Sequence, residues 1–311
     1  GVIFSQKTEK GSVIVNEKVL EGIDIPEAKV IYEYLMLQKR SAQIDSWLSF
    51  EKNGRVHGRV ITNGAVTGRM THLSPNMAQV PSVSAPYGKE CRSFWTVPHG
   101  YKLVGIDASG LELRMLAHYM RDTKYTNEIL SGDIHTANMK AAGLTDRNQA
   151  KTFIYAFLYG AGPAKIGEIV KGGYKEGQQL MAAFLRNTPA LAKLRDKVAR
   201  LALSGTLQGL DGRRLRVRSQ HAALNTLLQG AGAIVMKQAL IILSETLTAR
   251  GIPFKIVANV HDEFQVETPE HFAKAVGKVA VKAIQKAGEH FDLRCPLDGE
   301  FNIGNNWAET H

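Results

Sequence analysis

Residues Lys102–Arg114 read KLVGIDASGLELR, and residues Ile256–Glu267 read IVANVHDEFQVE. In the first, an apolar β-rich run ends on Asp107 and a helical pattern follows at once, so the carboxylate is rigidly held and exposed. In the second, two β-rich runs flank His261, Asp262 and Glu263 at a tight turn, which places another carboxylate on a hairpin tip. If the two strands are neighbours, Asp107 and Asp262 meet. Two close carboxylates without a basic neighbour in either motif favour hard cations such as Mg²⁺. A pair of such ions about 3.5 to 4 Å apart would clamp the attacking and leaving oxygens of an in-line phosphoryl transfer. Taken singly, an Asp at a strand end or turn is also ordinary punctuation.

Outward from these motifs the chain alternates blocks. Asp24 and Pro26 mark a helix start, and Val30, Ile31, Tyr34, Leu35, Ile44, Trp47 and Leu48 fit one helical apolar face to about Phe50. Asn53-Gly54, Asn63-Gly64 and His99-Gly100 punctuate β-rich runs up to Asp107, which predicts short antiparallel strands. From Leu111 to about Ser204 the pattern is helical, broken at Gly132, Gly143, Gly160 to Pro163, Gly172-Gly173 and Pro189. A hairpin about Asp211-Gly212 over Leu207 to Val217, a long apolar helix from about His221 to Leu247, the strand-turn-strand at Lys255 to Glu267 and a helix near 270 to 289 complete the order. Strands that bracket a helical insertion indicate an α+β fold with an antiparallel, palm-like core.

Thirty-nine Lys plus Arg against 29 Asp plus Glu give a net charge of +10, which suits a polyanionic partner without choosing among DNA, RNA and an acidic membrane. Cys91 and Cys295 stand far apart with no CxxC or Cys/His cluster, which argues against a disulfide framework or a zinc site. No run of about 18 consecutive apolar residues occurs, and no charged-then-apolar leader pattern opens the chain, so no membrane partner is expected. Gly1 followed by the strand-like Val2, Ile3 and Phe4 reads as a fragment or a processed product.

Arg147, Lys151, Tyr155 and Tyr159 recur every fourth residue through RNQAKTFIYAFLYG. Each step of four drifts by only about 40° on an α-helix, so the set forms one slowly turning stripe. Two cations followed by two aromatics would hold a triphosphate and then stack a base; an amphipathic helix with snorkelling Arg and Lys is the alternative. Beside a paired-Asp site the first reading is preferred. His221, Asn225 and Gln229 form a similar i, i+4, i+8 set in a helix of Ala, Leu and Gly. Donors there could test the minor-groove acceptors of a base pair, or could serve a cap and internal hydrogen bonds. Lys274, Lys278, Lys282 and Lys286 also repeat at four, but no aromatics interleave them, and the set reads as a solvated helix face.

Taken together, DASGLELR, RNQAKTFIYAFLYGAG and VHDEFQV resemble motifs A, B and C of family A DNA polymerases, in particular the replicative enzymes of T-seven-like podophages. NGAVTGRMTH, PNMAQVP, GDIHTAN, HAALNTLLQGAGA and GNNWAETH support the match in the same order, over essentially the whole chain. The resemblance implies a right-hand polymerase: a partial thumb over 1–52, palm over 53–120, helical fingers over 121–218 and the rest of the palm over 219–311. It implies that Asp107, Asp262 and the carbonyl of Ala108 hold two Mg²⁺ ions, while Glu263 is a less direct participant. Glu112 would sit under the incoming sugar and exclude a 2′-hydroxyl. Arg147, Lys151 and His135 would bind the triphosphate. Tyr155 would stack near sugar and base, its hydroxyl permitting dideoxynucleotides, and Tyr159 would mark the templating pocket. Arg69, His221, Asn225, Gln229 and His261 would contact DNA near the primer terminus.

The implied partners are primer-template DNA and dNTPs, with the exonuclease and the rest of the thumb, or a processivity factor, supplied elsewhere. The implied setting is bacterial cytoplasm, that of the host if the chain is phage-encoded. Two other classes compete. A single-subunit RNA polymerase would share the Asp pair and basic helix, but a bulky acid at Glu112 argues against ribonucleotides. A non-catalytic DNA-binding fragment would share the fold without incorporating nucleotides.

Overall fold

The computed structural model describes residues 11–311, so the Val2–Phe4 run lies outside the described residues. Its centre is a four-stranded antiparallel sheet of β1 (Tyr101–Ala108), β2 (Lys255–Val260), β3 (Glu263–Pro269) and β4 (Gly299–Gly304), in the order β4-β1-β3-β2. The strand alternation divides the sheet into two chemically different faces. Val104, Ile106 and Ala108 of β1, with Phe264 and Val266 of β3, are buried in the main core. Asp107, Glu263, Gln265 and Glu267 occupy the alternate positions, with Asp107 opposite Glu263 in register. The sequence pattern predicts β1 to β3; β4 is an addition, and it makes β1 a central strand.

Two long helices back the apolar face. Helix α9 (Ala223–Ala249) packs on α10 (Ala273–His290), which in turn lies on β1 and β4. Gly277 lets α10 approach closely, since a Cβ there would overlap the Phe301 ring. The segment Gln220–Ala249 is long and apolar enough to cross a membrane, but 67% of its most apolar window is buried inside the protein, as befits a core helix. The lysines of α10 are exposed on its outer side, as a solvated face requires.

Between β1 and α9 lies the helical insertion. It comprises α2 (Leu111–Met120), α3 (Thr123–Leu130), α4 (Ile134–Ala142), α5 (Arg147–Leu158), α6 (Pro163–Ile169), α7 (Tyr174–Asn187) and α8 (Pro189–Leu201). Each predicted break falls between helices, with Pro163 and Pro189 at first helical positions, where a missing N–H costs nothing. Asp122, Asp133 and Asp146 cap α3, α4 and α5, each carboxylate accepting backbone N–H groups of the first turn. The predicted hairpin follows as strands Thr206–Gln208 and Arg214–Arg216.

Helix α1 (Pro26–Ser49) has the predicted span but not the predicted buried face. Of the predicted face Trp47 is buried and Ile44 packs beside it, but Val30, Ile31, Tyr34 and Leu48 are exposed, and Ala28 and Met36, outside that face, are buried. The reason is local. Only its C-terminal part meets a core, where Trp47 joins Val80, Cys91, Leu103 and Trp307 in a second apolar cluster. Two antiparallel hairpins, Glu51–Lys52 with Arg55–Val56 and Arg59–Ile61 with Thr71–Leu73, then lead to β1. Buried Glu267 ties the first hairpin to the sheet, accepting from Arg55 at 2.8 and 2.9 Å and from Lys255 at 3.2 Å.

Candidate active site

The β1–β3 pairing continues into the turn before β3, where the Ala108 N–H donates to the Asp262 carbonyl at 3.1 Å. His261 turns the chain with φ of 59°, a left-handed conformation that brings Asp262 back beside β1. The two motif carboxylates thereby meet, as their sequences imply. Burial, then the charges of Asp262, Glu263, Glu300 and Glu112, push Asp107 up to about 7. Burial, then Glu112, push Asp262 up to about 6, opposed by a backbone hydrogen bond and by Arg69. No Lys or Arg forms an ion pair with either carboxylate among the described residues, so the charge of the pair is disfavoured and Asp107 holds its proton up to near neutral pH.

Glu263 differs. It is buried, and its Oε1 accepts from the Trp307 indole N–H at 2.6 Å and from Gln265 Nε2 at 2.5 Å, while Oε2 lies 3.4 Å from His311. Its oxygens are therefore engaged inside the sheet's polar layer. Among the described residues no group of three or more His, Cys, Asp or Glu is disposed to hold a metal by itself. The donor set on offer is the Asp107–Asp262 pair, which fits Mg²⁺: that ion is held through one or two carboxylates, with waters and substrate phosphates completing its shell.

Glu112, in the first turn of α2, is buried and accepts from Arg69 at 2.9 Å and from the Tyr159 hydroxyl at 3.2 Å. Lys237 of α9 donates to the carbonyl of Gly68 at 2.7 Å, which fixes the loop that presents Arg69. Helix α5 buries Ala150, Phe153, Ile154, Phe157 and Leu158 and turns its opposite side, with Arg147, Lys151 and Tyr155, outward. Tyr159 stands one residue beyond as the C-terminal cap, its ring centroid 6.3 Å from that of Tyr155. Burial, then the charges of Glu112, Asp262 and Asp107, raise the Tyr155 hydroxyl to about 12, so this member of the stripe lies within reach of the carboxylates. Both tyrosines remain protonated donors at neutral pH, since Tyr159 is likewise raised to about 12, by burial and then Glu112.

His135 in α4 lies 6.3 Å from Tyr155, ring to ring, and its buried Nδ1 has no hydrogen-bond partner. Burial, then Arg147 and Lys151, lower its pKa, so the ring is neutral at pH 7. His221 departs from expectation. It sits in a 3₁₀ turn, Gln220–Ala222, just before α9 rather than on the long helix. Gly160, with φ of 81°, accommodates it, because a Cβ there would lie 2.9 Å from the His221 carbonyl. Asn225 and Gln229 are on α9, half-exposed, and neither amide makes a hydrogen bond among the described residues, which leaves both free for an external partner. Arg69 and His261 line one small cleft with Lys237 and Asn259. Sequence reasoning missed Asp133, Lys237, Gln265 and Trp307. Only Asp133 carries a local signal, that of a helix cap.

The comparisons with known proteins converge. The DNA polymerase family A model matches residues 2–309. The DNA-directed DNA polymerase of Enterobacteria phage T3 is 45% identical over 100% of this chain and 50% of its own length. That of Escherichia phage T7 is 44% identical with the same coverage. DNA polymerase I of Aquifex aeolicus is 30% identical, over 97% of this chain and 55% of its own. The chain thus spans about half the length of the curated relatives it matches. The POL domain of Pol1 from M. smegmatis, solved with DNA primer-template and dNTP, superposes with a TM-score of 0.86 at 22% identity, covering 98% of this chain and 58% of that one. That likeness makes the fold a right-hand polymerase fold. With its antiparallel sheet, its helical insertion and a family model matched almost end to end, this chain belongs to DNA polymerase family A.

Proposed function

We propose that this chain is the catalytic core of a template-directed DNA polymerase, adding deoxynucleotides to a primer 3′-hydroxyl. The observation that carries this reading is the pair Asp107 and Asp262, which has no ion-pair partner among the described residues and whose charges reach Tyr155 on α5. Arg147 and Lys151 bind the triphosphate, with His135 as a neutral partner. Tyr155 packs on sugar and base, Tyr159 borders the templating base, and Glu112, held by Arg69 and Tyr159, blocks a 2′-hydroxyl. Arg69, His221, Asn225, Gln229 and His261 lie along the duplex near the primer terminus. The primer 3′-hydroxyl gives up its proton to solvent, its oxygen bonds to the α-phosphorus, and the bond to the pyrophosphate leaving group breaks. Two Mg²⁺ ions held by Asp107, Asp262 and the Ala108 carbonyl would supply charge stabilisation at both oxygens.

The proposed regions are a partial thumb over 1–52, palm over 53–120 and 219–311, and fingers over 121–218. Proofreading and most of the grip on DNA are assigned to sequence outside these residues or to a partner, and the setting to bacterial cytoplasm. Primer extension with dNTPs and Mg²⁺ should proceed with the parent and fail with Asp107→Ala and Asp262→Ala. Equal extension by all three overturns the mechanism, and none by the parent favours an inactive DNA-binding fragment. Glu112→Ala should admit ribonucleotides; a parent that prefers them would instead be an RNA polymerase.

A further inference from the structure

We infer that Asp133 is a positioning residue for the incoming triphosphate, orienting Arg147 and the first turn of the His135 helix through one carboxylate. The inference rests on the polymerase reading above. Asp133 Oδ2 accepts from Arg147 Nε at 2.7 Å, and Oδ1 from Nη2 at 3.1 Å, a two-point grip on one edge of the guanidinium. The same Oδ1 accepts the backbone N–H of His135 at 3.1 Å and of Thr136 at 3.3 Å, and Oδ2 accepts the Thr136 hydroxyl at 2.8 Å. One side chain thus caps α4 and anchors the first residue of α5.

The geometry favours orientation over competition. A guanidinium carries five N–H donors in a rigid plane, and Asp133 engages only the Nε–Nη2 edge. Both hydrogens of Nη1 and one of Nη2 stay free for phosphate oxygens, and the plane that carries them is fixed. Lys151, one turn further along the same side of α5, has no such anchor among the described residues and acts as a mobile point charge. A bidentate hold on Arg147 therefore sets the geometry of phosphate recognition, and the cap sets His135 beside it.

The two roles separate by substitution. Asn caps a helix as well as Asp does, so Asp133→Asn keeps the backbone cap of α4 and removes the charge and the acceptor shared by Arg147 Nε and the Thr136 hydroxyl. It should raise the KM for dNTP about fivefold, the scale of one exposed ion pair, with kcat and thermal unfolding nearly unchanged. Asp133→Ala should raise KM further and lower the melting temperature. In an Arg147→Ala background, Asp133→Asn should have no further effect, which a merely structural role would not produce. An unchanged or lowered KM in Asp133→Asn, or effects that add in the double variant, overturns the assignment while leaving the polymerase reading intact. If the parent extends no primer, that reading falls first. Equilibrium binding of dATP to the parent and to Asp133→Asn then decides, equal affinity overturning the role of Asp133.

Discussion

Four carboxylates lie on or beside one face of the same sheet, and they fall into two pairs. Glu263 and Glu267, on β3, are buried and fully partnered: Glu263 by Trp307 and Gln265, Glu267 by Arg55 and Lys255. Asp107 and Asp262, at the same end of the sheet as Glu263, are half-buried, have no ion-pair partner among the described residues, and are pushed up to about 7 and about 6. The fold can neutralise a buried carboxylate, as β3 demonstrates. It does so where the charge holds strands and hairpin together, and it leaves Asp107 and Asp262 without such partners among the described residues.

The largest expected break in this contrast is in activity. Asp262→Asn should cut primer extension about a thousandfold, on the scale of losing several kcal/mol of transition-state stabilisation. Glu263→Gln, one residue on, should retain most of the activity; a Glu263→Gln variant as dead as Asp262→Asn would erase the distinction between the pairs. Next comes pH. Between the ordinary carboxylate value of 3.8 and about 7, folded Asp107 keeps a proton that the unfolded chain has released, so its contribution to stability falls as pH rises through that window. In metal-free buffer Asp107→Asn should therefore match the parent near pH 4 and exceed it above pH 7 by up to about 4 kcal/mol. Millimolar Mg²⁺ should restore the parent and leave the variant unmoved. A stability difference that does not change with pH would refute the un-neutralised state.

The partnered side gives smaller effects. Glu267→Ala leaves Arg55 and Lys255 without a counter-charge, but both can reach water, so urea unfolding should show a loss of about 2 kcal/mol rather than the full cost of a buried pair. Trp307→Phe deletes one of two donors to Glu263 Oε1 and should cost about 1 kcal/mol, with primer extension preserved. A larger loss of activity than of stability in Trp307→Phe would move Glu263 into the functional pair.

What was legible in the sequence was what local period could carry. The β1 and β3 alternation implied that Asp107 and Asp262 share a place, and the four-residue spacing placed Arg147, Lys151 and Tyr155 on one side of α5. Illegible were the partners brought from far away: Arg69 to Glu112 across 43 residues, Tyr159 to Glu112 across 47, and Trp307 to Glu263 across 44. No spacing rule reports such contacts. Strand β4, GEFNIG, was missed because glycines and an asparagine dilute its β signal. On α1 the apolar period was real, but a period shows that a face could be buried, and Val30, Ile31 and Tyr34 meet no core among the described residues. His221 escaped its helix because two helical turns of different pitch look alike in a string of residues.

The central position of β1 also sets a timetable for synthesis. Its hydrogen-bonding neighbours are β3 and β4, so when Tyr101–Ala108 leaves the ribosome neither partner has been made. At translation rates of about 5 to 20 residues per second β4 follows about 190 residues, or roughly ten to forty seconds, later. Until β3 follows, about 155 residues on, Val104 and Ile106 sit on a strand with both edges open, and one edge stays open until β4 is made. A nascent chain can complete its helical insertion early, but the sheet that carries Asp107 closes only once β4 has emerged.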